Sequence, residues 1–455
     1  MTNRKRLALA AAVLACVATA ATGGGVHRAA ARHSGALALP ASRVHASLVT
    51  LGSEAPTDQD CRDAGFGPCY SPQEIRHAYG IDSLIASGGT GAGQSIVIID
   101  SYGSPTIAAD LAQFDADYGL PKASLTVLAP LGPSPAFDPT NSDMVGWAAE
   151  TTLDVEWAHA MSPSAHIVLL TSPVSETEGV QGMPQFLALE QYALDHRLGQ
   201  IFSQSWGATE NTLTPTAAGR QVFAGFEALY ARAAAQHVTV LASAGDTGST
   251  NYELDLQTLY PMPVVGYPGS SPLVTSVGGT SLFADTSGDY QSETVWNEGL
   301  DGGATGGGVS QVFAEPLYQR FLPRSTQQLL AGHRGLPDIS WNADPFTAIL
   351  IYLSFLGPDN AGYYGIGGTS EGSPQLAGVV ADMNTKLGRP IGFLNPYLYA
   401  LGPTGVGFHD VTVGDNAFNG VPGYSAGRGW DAATGWGTPN FGRLFGAIAA
   451  MPPQG

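Results

Sequence analysis

The sequence is poor in charge, and above all in positive charge. Only 13% of its 455 residues are charged, which is roughly half the usual share. Acidic residues outnumber basic ones by 38 to 19, giving a net charge of −19. This balance argues against nucleic acid and against an anionic membrane surface as partners. It suits a protein that works in acid, where many carboxylates are protonated and their mutual repulsion falls.

Long hydrophobic runs are also scarce, and the one at the start is too short to span a bilayer comfortably. A basic stretch at residues 3–6 precedes an alanine-rich apolar run at 7–21, which contains the small residues Ala18 and Ala20. This pattern predicts a signal peptide over residues 1–20. We therefore expect a secreted, extracellular protein without stable membrane association.

Cysteine is limited to three residues. Cys16 would be removed with the signal peptide, leaving Cys61 and Cys69. In an oxidising compartment these two favour a disulfide over two free thiols. Residues 21–68 are rich in small residues up to about residue 60 and are predicted to be a linker or short pro-segment, so the main domain would span residues 69–455.

Short apolar runs alternate with longer helical patterns through the first half of this domain. The strand-like runs are residues 95–100, 166–170, 200–205 and 238–242. Helical stretches at 185–196 and 216–236 separate the later ones. The alternation predicts an α/β fold, with a mostly parallel sheet and helices on both faces. In such folds the chemistry lies at the carboxyl ends of the strands.

The clearest local motif is a serine that follows a glycine-rich segment. Gly368, Thr369 and Ser370 precede an apolar run at 375–383 that is typical of a helix. A serine at this position lies near the positive end of the helix dipole, where backbone N–H groups can hold an oxyanion. The alternative is an ordinary helix N-cap. The motif alone leaves both interpretations open.

The expected histidine base is missing, and a carboxylate pair is the alternative. None of the ten histidines stands in the His-Gly-Thr-His setting of subtilisins. Glu150 and Asp154 are four residues apart, on one face of a predicted helix. Two acids at this spacing repel when both are ionised, which splits their titrations. A solvated helix face is the alternative, although apolar neighbours such as Trp147 and Leu153 favour burial.

A third acid, Asp246, follows the strand that ends at Ala242. Its position at the carboxyl end of a strand is typical of an active-site group. The segment Gly245–Gly248 could equally be an ordinary turn.

Together these signals resemble the sedolisin family, the serine-carboxyl peptidases with a subtilisin-like fold. Several short motifs occur in the family's order. They are Glu150-x-x-x-Asp154, Ser205-Trp206-Gly207, Ser243-Ala-Gly-Asp246, Tyr267-Pro-Gly-Ser-Ser-Pro272, Val277-Gly-Gly-Thr280, Gly306-Gly-Gly-Val-Ser310, Leu336-Pro-Asp338 and Gly368-Thr-Ser370. The resemblance extends from about residue 70 to the end, and it implies a doubly wound sheet.

The resemblance implies a role for each acid and for the serine. Ser370 would be the nucleophile and Glu150 the general base and acid, oriented by Asp154. Asp246 would be a protonated acid that donates into the oxyanion hole. At about pH 4 an ordinary histidine is already charged, whereas a glutamate can still accept a proton. We therefore expect a secreted serine-carboxyl endopeptidase that acts in acid on polypeptides, as a monomer.

Further residues have secondary roles in the same resemblance. Asp100 matches a position where relatives have an acid linked to the catalytic aspartate, although a strand-end turn residue is an equal alternative. Ser205, Trp206 and Gly207 resemble a strand edge that pairs with extended substrate.

The resemblance also implies one calcium ion near the C-terminus. Its ligands would be the side chains of Asp410 and Asp431 and the carbonyls of Val411, Gly427 and Gly429. Ca²⁺ prefers about six to eight oxygen ligands of this mixed kind. Without the resemblance, these glycine-rich loops would be interpreted as structural turns.

Two rival functions stay open, and the chain differs from the family in one feature, the length of the segment before the domain. A subtilisin-like enzyme would need the missing histidine motif, and a catalytically silent, calcium-stabilised binding domain would have no need of four intact acid and serine positions. Family precursors usually have a long folded prodomain, whereas only about forty residues separate the predicted signal peptide from the domain. Zymogen control is therefore in doubt, but the active-site chemistry is not.

Overall fold

A computed structural model describes residues 49–453. The predicted signal peptide and residues 21–48 of the predicted linker lie outside the described residues. The helices are α1 Asp58–Asp63, α2 Pro72–Ala78, α3 Ile81–Ala86, α4 Ile107–Asp117, α5 Ser142–Met161, α6 Met183–His196, α7 Glu210–Leu213, α8 Ala217–Ala235, α9 Arg324–Leu330, α10 Gly372–Leu387, α11 Asn395–Leu401 and α12 Phe441–Ala449.

The strands are mostly short, between two and ten residues. They are β1 Val49–Gly52, β2 Cys69–Tyr70, β3 Ser95–Ser101, β4 Ser124–Leu128, β5 His166–Ser172, β6 Ile201–Gln204, β7 Ala208–Thr209, β8 Thr239–Ser243, β9 Gly266–Tyr267, β10 Thr275–Ala284, β11 Tyr290–Val295, β12 Asn297–Gly299, β13 Gly303–Ala304, β14 Gly308–Ala314, β15 His333–Leu336, β16 Ile339–Asn342, β17 Ala348–Leu353, β18 Gly362–Ile366, β19 Phe408–His409 and β20 Thr438–Pro439.

An eight-stranded sheet forms the centre of the molecule. Its strand order is β11-β10-β8-β6-β3-β5-β4, and β16 pairs with β10. Every pairing is parallel except that of β10 with β11. The order runs outward in both directions from β3, which is the doubly wound arrangement. The predicted α/β class with a mostly parallel sheet is therefore confirmed.

Both faces of the sheet are covered, as alternate residues of β3 show. Ile96 and Ile98 are buried in one apolar cluster, which includes residues of α5 and α10. Val97 and Ile99 are buried in a second cluster with residues of α6 and α8. A strand that is apolar on both sides is typical of a parallel sheet between two helical layers. The helices α5 and α10 thus lie together on one face, where they contact each other.

A second, four-stranded sheet contains the strand that leads to the Gly-Thr-Ser motif. Its order is β1-β18-β17-β2. Cys61 and Cys69 form a disulfide, and Cys69 lies in β2. Residues 49–68 were predicted to belong to a linker or pro-segment, but they contain β1 and α1. The folded region therefore begins before residue 69. None of the helices described within residues 49–453 is long and apolar enough to cross a membrane.

Candidate active site

The Gly-Thr-Ser motif forms a buried turn between β18 and α10. Ser370 lies in the 3₁₀ turn Thr369–Glu371 and is only 5% exposed. Gly368 enters the turn at φ +123°, a conformation that favours glycine. A Cβ atom on Gly368 would lie 2.8 Å from Oδ2 of Asp246. The glycine is therefore required both for its backbone angle and for the close approach of the acid.

The predicted carboxylate pair is buried in the middle of α5. Glu150 is 1% exposed, and Asp154 is fully buried. Asp100 is fully buried at the end of β3, which packs against α5. Burial, and then the charges of Asp100 and Glu150, raise the pKa of Asp154 well above its ordinary value. Ionising all three of these neighbouring buried acids is unfavourable, which favours a protonated Asp154.

Ser205 connects this acid group to the serine turn. Its hydroxyl donates to Oδ1 of Asp154 at 2.8 Å and lies 3.5 Å from the carbonyl oxygen of Ser370. Helix α5 also contacts the turn directly. Residues that are more than 160 positions apart in the sequence therefore meet at one point. Ser205 was predicted to bind substrate, and in the structure its hydroxyl is bonded to Asp154.

Asp246 approaches the same turn from the end of β8. Its Oδ1 accepts hydrogen bonds from the backbone N–H of Thr369 at 2.8 Å and from the Thr369 hydroxyl at 2.7 Å. Gly245 N–H donates to that hydroxyl, and Ser243 Oγ donates to the Thr369 carbonyl, both at 3.0 Å. Thr369 was not among the residues predicted for the site. Its only signal was its place beside the serine.

The three residues predicted to bind substrate have different surroundings in the structure. Strand β6 ends at Gln204, so the segment 205–207 is not part of the predicted strand. Trp206 is 4% exposed, and its ring packs 4.6 Å from that of Phe186. Gly207 is exposed beside the Tyr267 backbone. A substrate could reach the backbone at Gly207, but the indole of Trp206 belongs to the apolar core.

The predicted calcium ligands come together in the C-terminal loops. Asp410 is exposed, and both its carboxylate oxygens accept from Gly429 N–H, at 3.1 and 3.2 Å. Asp431 Oδ2 accepts from Gly427 N–H at 2.9 Å. Burial raises the pKa of Asp431 to about 6, although several N–H donors oppose that shift. Val411 is buried next to Asp410.

This donor set fits calcium better than a transition metal. No cluster of three or more His, Cys, Asp or Glu side chains suited to a metal occurs within residues 49–453. The predicted site needs only two such side chains, because its remaining ligands would be carbonyl oxygens and water. Hard oxygen donors of this kind are typical of Ca²⁺. A cation would also relieve the cost of a buried, ionised Asp431.

Two known proteins are similar to this chain in sequence over long stretches. Kumamolisin of Bacillus sp. (strain MN-32) is 36% identical over 421 residues, 91% of this chain and 70% of kumamolisin. Sedolisin of Pseudomonas sp. (strain 101) is 40% identical over 229 residues, 48% of this chain and 36% of sedolisin. No family model matches the chain.

A solved structure agrees with these relatives. Pseudomonas sedolisin, complexed with two molecules of pseudo-iodotyrostatin, has a TM-score of 0.68 and 30% identity to this chain. The match covers 84% of this chain and 98% of that one. The fold, the acid groups around a serine turn and the relatives define a serine-carboxyl peptidase with a subtilisin-like fold. The chain belongs to the sedolisin family.

Proposed function

We propose that this peptidase is an acid-acting endopeptidase, with Ser370 as nucleophile, Glu150 as base, Asp154 as its orienting acid and Asp246 in the oxyanion hole. One observation supports this most strongly: two separate acid groups are joined to the two sides of a single buried turn. Ser205 links Asp154 to the carbonyl of Ser370, and Thr369 links Asp246 to the preceding residue.

In the first half of the reaction, the Ser370 hydroxyl attacks the substrate carbonyl carbon as its proton moves to Glu150. The developing negative charge falls on the carbonyl oxygen, where a protonated Asp246 donates a hydrogen bond. Glu150 then gives its proton to the leaving amine, and the C–N bond breaks. An acyl group remains on Ser370.

In the second half, water replaces the amine. Glu150 accepts a proton from the attacking water, and the acyl–oxygen bond breaks with return of a proton to Ser370. Asp154 stays hydrogen-bonded to Ser205 and forms no covalent bond with the substrate. Its buried carboxyl fixes the charge state of the group, because a second negative charge beside Glu150 is unfavourable.

Calcium would have a structural role in this scheme. Asp410, Asp431 and the carbonyls of Val411, Gly427 and Gly429 would hold one ion, which would stabilise the C-terminal loops without touching the substrate. We also propose secretion, which the Cys61–Cys69 disulfide supports because such bonds persist in oxidising compartments. A monomer is proposed for the working form.

The decisive experiment is a pH–rate profile with an unstructured protein substrate, analysed by mass spectrometry of the products. The wild type should show a bell-shaped profile with its maximum on the acid side and cuts inside the polypeptide. Glu150→Gln should abolish turnover while leaving the fold intact. A maximum near pH 8 with a fully active Glu150→Gln would disprove the carboxylate base. Complete inactivity of the folded wild type would favour a silent binding domain.

A further inference from the structure

A further acid, Glu371, follows Ser370 directly and has no part in the proposed reaction. It is fully buried. Its backbone N–H donates to the carbonyl oxygen of Gly368 at 3.0 Å, and this hydrogen bond closes the 3₁₀ turn. Its carboxyl oxygen Oε2 accepts from Asn342 Nδ2 at 3.2 Å, while Oε1 has no hydrogen-bond partner among residues 49–453. A buried, half-satisfied carboxyl therefore sits next to the nucleophile.

The partner of Glu371, Asn342, is held in one orientation by its own hydrogen bonds. The Asn342 Oδ1 atom accepts from Thr347 Oγ1 at 2.9 Å and from Leu282 N–H at 3.0 Å. These two donors fix the amide, so that only Nδ2 faces the acid. The second Nδ2 hydrogen is donated to the Thr347 carbonyl at 2.8 Å. Both hydrogens of the amide are therefore used, and Glu371 receives one long hydrogen bond from it.

The charged groups that act on Glu371 are both acids. They are Asp344, which follows β16, and Asp246, which lies at the end of β8; Asp344 is faced in turn by Glu298. An ionised carboxyl in a dry site beside other acids is strongly disfavoured. Burial, followed by the charges of Asp344 and Asp246, raises the pKa of Glu371 well above its ordinary value, and the Asn342 bond only partly opposes this.

We propose that Glu371 is a pH-sensitive lock on the nucleophile turn. In acid its neutral carboxyl avoids the cost of a buried charge and holds Ser370 in position. As the pH rises, the drive to ionise can be met only by opening the turn to water, which moves Ser370 away from its acids. The inference rests on the proposed function, because it concerns the turn that contains the nucleophile. Glu371 is a positioning residue in this scheme.

The direction of the effect follows from proton linkage. The closed turn binds the Glu371 proton more tightly than the open turn does, so closure is favoured fully below the ordinary glutamate pKa. That advantage is lost progressively as the pH rises from there toward the raised value. Opening of the turn therefore contributes to the loss of activity at higher pH. It does not affect the loss of activity at low pH.

Glu371→Gln tests the lock, since the amide copies the neutral acid in shape and never ionises. With a peptide substrate, kcat in acid should equal that of the wild type. The alkaline midpoint should move upward by about one pH unit, a tenfold change in proton concentration. A profile that superimposes on the wild type would overturn the proposal, and so would a folded variant with low activity in acid.

Asp344→Asn provides an independent test, because it changes the surroundings of Glu371 and leaves the residue itself in place. It removes one of the two charges that keep Glu371 protonated and retains a side-chain oxygen for the Phe346 N–H that caps the next turn. The closed turn then tolerates an ionised Glu371 better, so the alkaline limb should move upward or flatten, by less than in Glu371→Gln. An alkaline limb that moved downward, or one that superimposed on that of the wild type, would contradict the lock. This variant keeps the proposal testable if Glu371→Gln fails to fold.

Glu190→Gln is the matched control. Glu190 is another fully buried acid whose pKa is raised by burial, but it lies on α6, within the opposite helical layer. Its replacement should change thermal stability near neutral pH without moving the activity profile. A shift equal to that of Glu371→Gln would mean general stabilisation and would reject the lock. Activity in Ser370→Ala would instead reject the proposed function itself.

Discussion

The serine turn and the C-terminal loops both place aspartates next to glycines, yet they hold the carboxylates in different ways. Asp154 is fully buried, accepts from one serine hydroxyl, and has acids as its charged neighbours. Asp410 is exposed and accepts from a backbone N–H. Asp431 is buried but accepts from three backbone N–H groups, of Gly427, Ala433 and Thr434.

The difference teaches which chemistry each region can support. An acid with few donors and acidic neighbours keeps its proton, so it suits proton transfer and hydrogen-bond donation in acid. An acid held by backbone donors keeps a fixed geometry, and two such acids in neighbouring loops suit a cation. Substitutions in the first region should therefore affect turnover, and those in the second should affect stability.

The largest expected effect is that of Ser370→Ala. Loss of the nucleophile should lower kcat by about a millionfold. The melting temperature should stay close to that of the wild type, because a single hydroxyl is removed from a turn held by other contacts. Steady-state kinetics and thermal unfolding of one preparation would check both. A large fall in stability would break the contrast between the two regions.

Substitutions of Asp246 should have the next largest effect. Comparing two of them distinguishes the role of its charge from the role of its hydrogen bond. Asp246→Ala should lower kcat by roughly a hundredfold to a thousandfold, because a donor to the oxyanion is lost. Asp246→Asn retains a donor at every pH, so more activity should survive and the alkaline limb should flatten. Full pH–rate profiles of both variants are the measurement. Equal activity of the two variants would argue against a donor role.

Removal of calcium should lower stability by a smaller amount. An ion present at a hundredfold above its Kd contributes about 2.7 kcal/mol, which corresponds to a fall of roughly 3 °C in Tm after chelation. Asp410→Ala should reproduce that fall and be insensitive to chelator. The pH of maximum activity should not move. Metal analysis must show that the ion has left, and an unchanged Tm would then exclude the site.

The smallest expected effect is that of Ser205→Ala. It removes the hydrogen bond to Asp154, worth about 1.5 kcal/mol, so kcat should fall about tenfold with little change in KM. Ser203→Ala is the matched control, since Ser203 lies two residues earlier and bonds to Ser373. If Ser205 instead binds substrate, as its sequence motif suggested, KM should rise and kcat should stay unchanged.

Much of this arrangement was predictable from local sequence. The family was predicted from the ordered motifs and is confirmed by the relatives. The parallel sheet followed from alternating apolar and helical patterns. Glu150 and Asp154 were paired because residues four apart share a helix face. The prediction of a linker up to residue 68 missed β1, because a four-residue strand is formed by its pairing with β18, more than 300 positions away.

The sequence by itself determined which residue types stand at the serine turn and in what order, since turns and helix faces depend on neighbours a few positions apart. Only the tertiary structure decided how Ser205 and Thr369 connect the acids to that turn, and that Trp206 lies in the core. It also decided that Glu371 faces Asp246 and Asp344. Burial and electrostatic interaction sum over segments that are distant in sequence, so no local pattern contains them.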